Sequence, residues 1–363
     1  MLREIGISIY PDHSDPKQDQ IYLEKAATLG YTRVFMSMLE VSPENQTATL
    51  EKFSQIIHFA RDLNFEVILD INPQTFTKLG ISYQDLSLFK ALGASGIRLD
   101  EAFSGLQESL LSYNPEGLKI ELNMSNDVAY LDNIMTYQPN APFIYGCHNL
   151  YPQKGSGLPY DFFVKASQRF KKYGIKTAAF VTSQTATGGP WTINDGLPTL
   201  EIHRDWPIAL QAKHLFATNL IDTVIIGNAY ATDEELAQLA AVNRYCLTLN
   251  VEYEQQTTTL EKEIVEKNLH FRRGDITDLV IRSTQPRVKY AQKANPAHNH
   301  TQELQLGDIV IGNDDFKNYK NELQIILKPQ QDIRKNLVAR IKPEERFLLE
   351  YIKPWTKFKL QAQ

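Results

Sequence analysis

Two adjacent carboxylates, Asp100 and Glu101, follow a short, mainly apolar run at residues 96–99. At the end of a strand, neighbouring acids can point in different directions into one pocket and act as general acid and base. Adjacent acids also occur at helix starts, where they interact favourably with the positive end of the helix dipole. The pair is therefore a candidate catalytic group, and its role depends on whether it lies at a strand end beside a pocket or at the start of a helix.

Further polar side chains are predicted to share the same face of the sheet, because successive side chains of a strand alternate between its two faces. If Ile97 and Leu99 face outward, the inward set is Arg98 and Asp100, then Lys119, Glu121 and Asn123 of the following run, and Asp70 and Asn72 of the preceding one. An isolated buried charge is costly unless it is paired. One interpretation is a self-satisfied network in which the acids neutralise Arg98. The other, which the number of ionisable groups favours, is a ligand site in which Arg98 also binds an anion.

More polar residues lie where other apolar runs end. They are Ser8, Tyr10, Ser37, His148, Asn149, Thr182 and Asn228. Ligands of parallel α/β proteins bind at the carboxyl ends of the strands. We therefore expect these residues to line a substrate pocket.

Two long connections could cover such a pocket, residues 183–205 and residues 149–161. Long loops without secondary structure in compact domains are often functional lids. In the first, Trp191 could stack on a sugar or simply pin the loop. The same connection carries the charged residues Glu201, His203 and Arg204, which a polar ligand could use.

Sequence patterns for a metal or a serine nucleophile are missing. The chain contains neither an HExxH cluster nor a GxSxG elbow, so we expect no metal and no cofactor. Cys147 and Cys246 lie too far apart for a redox motif, and Cys147 sits within a strand-like run, which favours a buried thiol.

The elements that must position these groups are eight short apolar runs, each followed by a polar loop and a helical stretch. The predicted strands are residues 5–10, 33–38, 66–71, 96–100, 118–123, 143–149, 176–182 and 223–228. Amphipathic segments lie between them, for example residues 19–29 and 50–63, and Gly30, Gly93 and Gly174 fit left-handed helix caps. Eight such units predict a (β/α)8 barrel. An open doubly wound sheet is disfavoured because no GxGxxG or GxxxxGK[ST] loop follows the first strand.

The pattern changes after about Asn243, to strand-like segments at residues 279–283, 308–312 and 323–327 separated by turn residues. We therefore expect a catalytic barrel at residues 1–243 and a smaller β-rich domain at residues 244–363. The total length of 363 residues suits that division.

Composition narrows the choice of partners. Charged residues make up 22% of the chain and the formal net charge is −5, which disfavours nucleic acid or an anionic membrane as the main partner. The N-terminal segment lacks the apolar core and cleavage site of a signal peptide. We expect a cytoplasmic protein with a small-molecule ligand.

Several motifs together resemble the MupG-like family. They are Gly6-Ile7-Ser8-Ile9-Tyr10-Pro11, Phe35-Met36-Ser37-Met38-Leu39-Glu40, Gly96-Ile97-Arg98-Leu99-Asp100, Cys147-His148-Asn149-Leu150-Tyr151-Pro152, Gly188-Gly189-Pro190, and Gly196-Leu197-Pro198-Thr199-Leu200-Glu201 continuing to His203-Arg204. The resemblance spans the whole chain. It implies a barrel with a cyclophilin-like C-terminal domain, and 6-phospho-N-acetylmuramidase activity: hydrolysis of a phosphorylated MurNAc-GlcNAc disaccharide to MurNAc 6-phosphate and GlcNAc in cell-wall recycling.

Such a substrate suits the inferred pocket. The adjacent acids are similar to those of substrate-assisted hexosaminidases, which implies Glu101 as the acid and Asp100 as the group that orients the acetamide. Glu121 or Asp70 is the reserve partner. The substrate phosphate is assigned first to Arg98, and otherwise to His203 with Arg204. A further alternative is Arg282 with Arg287 of the second domain.

Two other function classes remain open. A barrel lyase, epimerase or aldolase acting on a phosphosugar would use a lysine, and Lys119 is the inward candidate. A non-catalytic sugar-binding protein would need the pocket but not the acids.

Overall fold

Eight parallel strands close into a barrel in the computed structural model, which describes residues 2–39, 46–82, 84–126 and 128–362. The strands are β1 Glu4–Ile9, β2 Arg33–Ser37, β3 Glu66–Ile71, β4 Gly96–Leu99, β5 Lys119–Asn123, β6 Ile144–Cys147, β7 Lys176–Val181 and β8 Thr223–Ile226. The predicted (β/α)8 barrel is confirmed. Several predicted strands run one or two residues beyond the observed carboxyl ends. Glu40, part of one quoted motif, lies outside the described residues.

Helices follow the barrel strands. They are α1 Pro16–Thr28, α2 Gln46–Asp62, α3 Pro73–Leu79, α4 Ser87–Leu92, α5 Leu106–Leu111, α6 Tyr130–Thr136, α7 Tyr160–Lys172, α8 Ile208–Ala217 and α9 Asp233–Ala240, with short 3₁₀ turns at Ala141–Phe143 and Glu201–His203. Gly30, Gly93 and Gly174 have φ of 79°, 94° and 69°, the left-handed conformation predicted for them.

The barrel has an outer and an inner packing layer. Ile97 and Leu99 belong to the large apolar core shared with the helices. The interior contains a separate apolar group that includes Phe35, Cys147 and Ile225. The alternation predicted for β4 is therefore confirmed, and Cys147 is a buried free thiol as expected.

A buried charge network starts at the amino ends of the strands. Arg33, the first residue of β2, is 1% exposed, donates to the buried Glu121 carboxylate and lies 3.1 Å from Glu66. Lys119 also lies at this end, as the first residue of β5, with its ammonium 4.0 Å from the centre of the Phe143 ring. Lys119, the inward lysine candidate of the sequence, therefore lies at the end of the barrel opposite the predicted ligand site.

Contacts divide the chain into two compact units, residues 1–242 and 243–363. The second unit contains seven strands: β9 Leu247–Tyr253, β10 His270–Phe271, β11 Val280–Ser283, β12 Asp308–Gly312, β13 Leu323–Ile326, β14 Lys335–Ile341 and β15 Lys357–Ala362. They form one mixed sheet in the order β10-β15-β9-β14-β12-β13-β11. Helices α10 Thr259–Glu266 and α11 Gln285–Lys289 and 3₁₀ segments Asp314–Tyr319 and Pro343–Tyr351 complete the unit. Within the described residues, no helix has the length and apolar character needed to cross a bilayer.

Candidate active site

A single guanidinium group organises the carboxyl end of the barrel. Arg98 Nη1 donates to Asp70 Oδ1 at 2.5 Å and to Asp100 Oδ1 at 3.0 Å, and Nη2 donates to Asn149 Oδ1. Arg98 and Asp70 are 2% and 5% exposed, whereas the Asp100 side chain is 33% exposed. Two carboxylates therefore converge on one cation at the end where barrel ligands bind.

The carboxyl group of Asp70 has a pKa well above that of an ordinary aspartate. Burial raises the pKa of its carboxyl to about 7, although the ion pair with Arg98 opposes the shift. The negative charge of the Asp100 carboxylate also raises the pKa of Asp70. A carboxyl that titrates near neutral pH can act as either an acid or a base in catalysis.

Amide and hydroxyl groups fix the loop ends around this cluster. Asn123 Nδ2 donates to the backbone oxygen of Asp100 at 2.9 Å, and its Oδ1 accepts from the Ser125 N–H at 2.8 Å. The Ser125 hydroxyl in turn accepts from the backbone N–H of Asn149 at 2.8 Å. Asn123 thus supports the site by holding Asp100 in place.

Arg98 and its two carboxylate partners line a cavity of about 110 Å³. Its polar lining is Ser37, Asp70, Arg98, Asp100 and Asn149, and its apolar lining is Phe35, Leu39, Leu150, Phe180, Pro190 and Trp191. The structure therefore brings together five of the predicted polar site residues with Trp191. Sequence patterns missed the apolar lining, because an inward Phe35 or Phe180 reads as ordinary core.

A larger cavity of about 700 Å³ lies next to it and has Pro190 and Trp191 in common with it. It is formed by the segments that follow β1, β7 and β8, and it includes the predicted residue Tyr10 together with Ser14 and Tyr230, which were not predicted. Tyr10 donates its hydroxyl proton to Gly227 O at 2.5 Å. The segment after β1 had been noted only because it lacks a phosphate-binding motif.

The connection at residues 183–205 is tied down where it leaves β7. Ser183 donates to the Glu235 carboxylate at 2.6 Å, and the Asn228 amide bonds to the backbone of Ser183 and Ala186. Gly188 forms a β-bridge with Ala229, and a Cβ at this glycine would lie 2.5 Å from Ala229 O. Asn228 therefore bonds to the loop backbone, and it does not line either the cavity at Arg98 or the larger one.

Glu201 and Arg204 join the two long loops. Their side chains form a two-point ion pair at 2.8 and 2.7 Å, and Glu201 also accepts from the N–H groups of Gly155 and Gly157. Arg204 Nη1 donates to the carbonyl oxygens of Tyr151, Asp195 and Gly196. This pairing lowers the pKa of Glu201 to about 2. Both residues act as a clamp between loops, rather than as charges offered to a ligand.

Two predicted histidine contacts are also internal. His203 is buried against His214 at 2.7 Å, and burial holds the pKa of His203 well below its usual range. His148 lies between the hydroxyls of Ser125 and Ser167, and burial lowers its pKa to about 3. Neutral imidazoles of this kind do not supply a cation for phosphate.

The remaining predicted residues lie elsewhere. Ser8 is fully buried on β1, and Thr182 and Asn72 bond to neighbouring backbone, Asn72 as the N-cap of α3. Glu121 is paired with Arg33, and Arg282 of the second unit is paired with Glu322. Glu101 is exposed, and within the described residues it does not line either cavity. The described side chains contain no group of three or more His, Cys, Asp or Glu that could hold a metal ion.

Comparison with known proteins places the chain in a family. The model of the 6-phospho-N-acetylmuramidase N-terminal domain matches residues 5–241, and that of its C-terminal domain matches residues 247–361. A crystal structure of an uncharacterized B. cereus protein is 51% identical, with a TM-score of 0.92 over 99% of this chain and all of the other. A protein of unknown function from Enterococcus faecalis shares the fold at 24% identity and a TM-score of 0.70, over 99% of this chain and 96% of the other. No curated protein matches the chain.

The two family matches together cover nearly the whole chain, and they confirm the resemblance seen in the sequence motifs. The chain belongs to the 6-phospho-N-acetylmuramidase family, a family of glycosidases.

Proposed function

We propose that the protein hydrolyses the glycosidic bond of a MurNAc 6-phosphate-GlcNAc disaccharide, releasing MurNAc 6-phosphate and GlcNAc during cytoplasmic recycling of peptidoglycan. Family membership supports this substrate. The observation that carries the hydrolytic chemistry is the convergence of Asp70 and Asp100 on one Arg98 nitrogen inside a cavity.

The geometry favours Asp70 as the acid–base group. It lines the cavity, and its pKa of about 7 allows it to hold a proton at neutral pH and donate it to the leaving oxygen. Asp100 would then act on the other side of the bond, as nucleophile or by orienting the substrate acetamide. This assignment replaces Glu101, the acid suggested by sequence, with a residue that lines the cavity.

The spacing of the two acids suits a retaining reaction. Their bonded oxygens lie 2.5 and 3.0 Å from the same nitrogen, so these two oxygens are at most ~5.5 Å apart. Retaining glycosidases place their carboxyl groups ~5 Å apart, whereas inverting enzymes need a wider gap for a water molecule.

Arg98 has a different role in this proposal from the phosphate contact expected from sequence. Its charge already faces two carboxylates, so a phosphate beside it would add a third negative group. Arg98 instead orients the acids.

Mass spectrometry tests the proposal directly, by following GlcNAc release from phosphorylated and unphosphorylated MurNAc-GlcNAc. We expect release from the phosphorylated disaccharide only, and a loss of about 100-fold or more in kcat for Asp70→Asn and Asp100→Asn. Glu101→Gln is the matched control on the neighbouring carboxylate. If Glu101→Gln loses activity while Asp70→Asn keeps it, the acid role returns to Glu101. If the wild-type protein binds the disaccharide without releasing GlcNAc, it is a sugar-binding protein and the proposal is wrong.

The lyase or aldolase alternative loses support from the position of Lys119. That residue begins β5, at the end of the barrel opposite the carboxylate cluster. Borohydride trapping with substrate present should therefore give no covalent adduct, and an adduct at Lys119 would favour the alternative.

A further inference from the structure

A buried carboxylate outside the Arg98 cluster organises one wall of the larger cavity. Asp19, on α1, is 1% exposed. Its Oδ2 accepts from the Ser14 hydroxyl at 2.5 Å, and its Oδ1 accepts from the Tyr230 hydroxyl at 2.8 Å. Ser14 and Tyr230 both line the cavity of about 700 Å³, whereas Asp19 lies behind them.

These two hydrogen bonds determine whether Ser14 and Tyr230 donate to a ligand in the cavity or accept from it. A hydroxyl group has one proton to donate and two lone pairs to accept with. Ser14 and Tyr230 have both directed their proton to Asp19, so their oxygens can only accept from a group in the cavity. The wall therefore selects ligands that bring N–H or O–H donors.

The aromatic surface of this wall is also fixed in advance. The Tyr230 ring makes an edge contact with Tyr22, with ring centres 5.2 Å apart, while its hydroxyl is held by Asp19. Tyr10 and Trp191 contribute further aromatic surface to the cavity. Rings of this kind present a flat apolar surface to one face of a sugar, and rings held in place lose little entropy when they bind.

The charge of the cavity disfavours anionic ligands. Among its described lining residues there is no arginine or lysine, whereas Asp15 is present. The His13 imidazole lies 3.3 Å from the Asp12 carboxylate, which adds a further negative charge beside the cavity. A phosphate or carboxylate placed here would meet acceptor oxygens and a negative charge without a compensating cation.

We propose that this cavity is the subsite for the uncharged GlcNAc unit of the substrate, and that Asp19 is a positioning residue that holds Ser14 and Tyr230 as acceptors for its hydroxyl and amide protons. The inference rests on the proposed glycosidase function and extends it. The scissile bond would then lie at the adjoining cavity with Asp70 and Asp100, near the shared wall of Pro190 and Trp191.

The test compares two substrates in the variant Asp19→Asn, which keeps the shape of the side chain but turns one acceptor into a donor. One substrate is the MurNAc 6-phosphate-GlcNAc disaccharide, and the other is 4-nitrophenyl MurNAc 6-phosphate, which lacks GlcNAc. We expect kcat/KM to fall about tenfold or more for the disaccharide, the size expected from disturbing two hydrogen bonds, and to stay within about twofold for the aryl substrate. Glu24→Gln, an exposed carboxylate on the same helix, is the control and should change neither rate.

Calorimetric titration with GlcNAc alone provides a readout that does not depend on catalysis. GlcNAc binding that weakens about tenfold in Asp19→Asn supports the subsite, even if the wild-type protein hydrolyses neither substrate and the proposed function fails. An equal loss on both substrates, with or without a lower melting temperature, would show that Asp19 serves the fold or the reaction in general and would overturn the inference.

Discussion

Asp70 on β3 and Arg98 on β4 are direct partners in the parallel ladder, and a 2.5 Å hydrogen bond joins their side chains. The pair is therefore held by the register of the sheet and does not depend on a mobile loop. Because both side chains are almost completely buried, each is costly to leave without the other.

Replacing Arg98 with methionine should destabilise the protein in a pH-dependent way. At pH 8 we expect a loss of about 3–5 kcal/mol in the free energy of unfolding, because Asp70 and Asp100 lose their cation. The loss should be smaller at pH 5, since the pKa of Asp70 is raised above its unfolded value and the protonated form is the one that folding prefers. Urea denaturation at both pH values measures this. The double variant Asp70→Asn with Arg98→Met should recover part of the loss, and an identical loss at both pH values would contradict the argument.

The rate of disaccharide hydrolysis should depend on the protonation of Asp70. If Asp70 donates the proton, kcat/KM falls as pH rises through about 7, approaching tenfold per pH unit above it. The second ionisation of a sugar phosphate lies near pH 6, below this limb. Initial rates between pH 5 and 9 give the profile. A rate that stays level up to pH 9 would remove Asp70 from the acid role.

The buried pair of Arg33 and Glu121 should matter for stability and little for turnover. Arg33→Met alone leaves Glu121 without its cation, and we expect a loss of about 3–5 kcal/mol in urea denaturation. The double variant Arg33→Met with Glu121→Leu should regain most of it, while Glu66 keeps Lys176 at 3.8 Å. Its kcat should stay within about threefold of the wild type, since neither residue lines the described cavity around Arg98. A large fall in kcat of a folded double variant would restore Glu121 as a catalytic candidate.

Weakening the loop clamp should expose both long loops to proteolysis. Lysine at position 204 cannot reproduce the two-point pair with Glu201 together with the three carbonyl contacts. We expect Arg204→Lys to be cut faster by trypsin after Lys154 and by chymotrypsin after Trp191, one site in each loop, as read by peptide mass mapping. Cleavage in the second unit serves as the internal control. Unchanged rates at both loop sites would mean that other contacts hold the loops.

The sequence predicted the scaffold and part of the site for a clear physical reason. Strand alternation depends only on neighbouring residues, so it correctly turned Arg98 into the barrel and Ile97 outward. It could not decide between Asp100 and Glu101, because the alternation ends with the strand and the next side chain follows the bend. Glu101 is exposed for that reason.

The role of Arg204 shows a second limit. Its partners include carbonyl oxygens at residues 151, 195 and 196, and no pattern of residue types shows where backbone oxygens will point. The Asp19 cluster was missed because its members lie in α1, in the segment after β1 and after β8. Only the closed barrel brings these distant parts of the chain together.

The filled interior of the barrel has a consequence for the path that a ligand takes. Cys147, Ala178 and Ile225 are buried inside it, and the pair of Arg33 and Glu121 is buried as well, so the barrel is a packed core and not a pore. A ligand that reaches the Arg98 cluster cannot pass on to the amino end of the strands. It has to arrive and depart on the same face of the barrel, so the products of a reaction there must leave before the next substrate can enter.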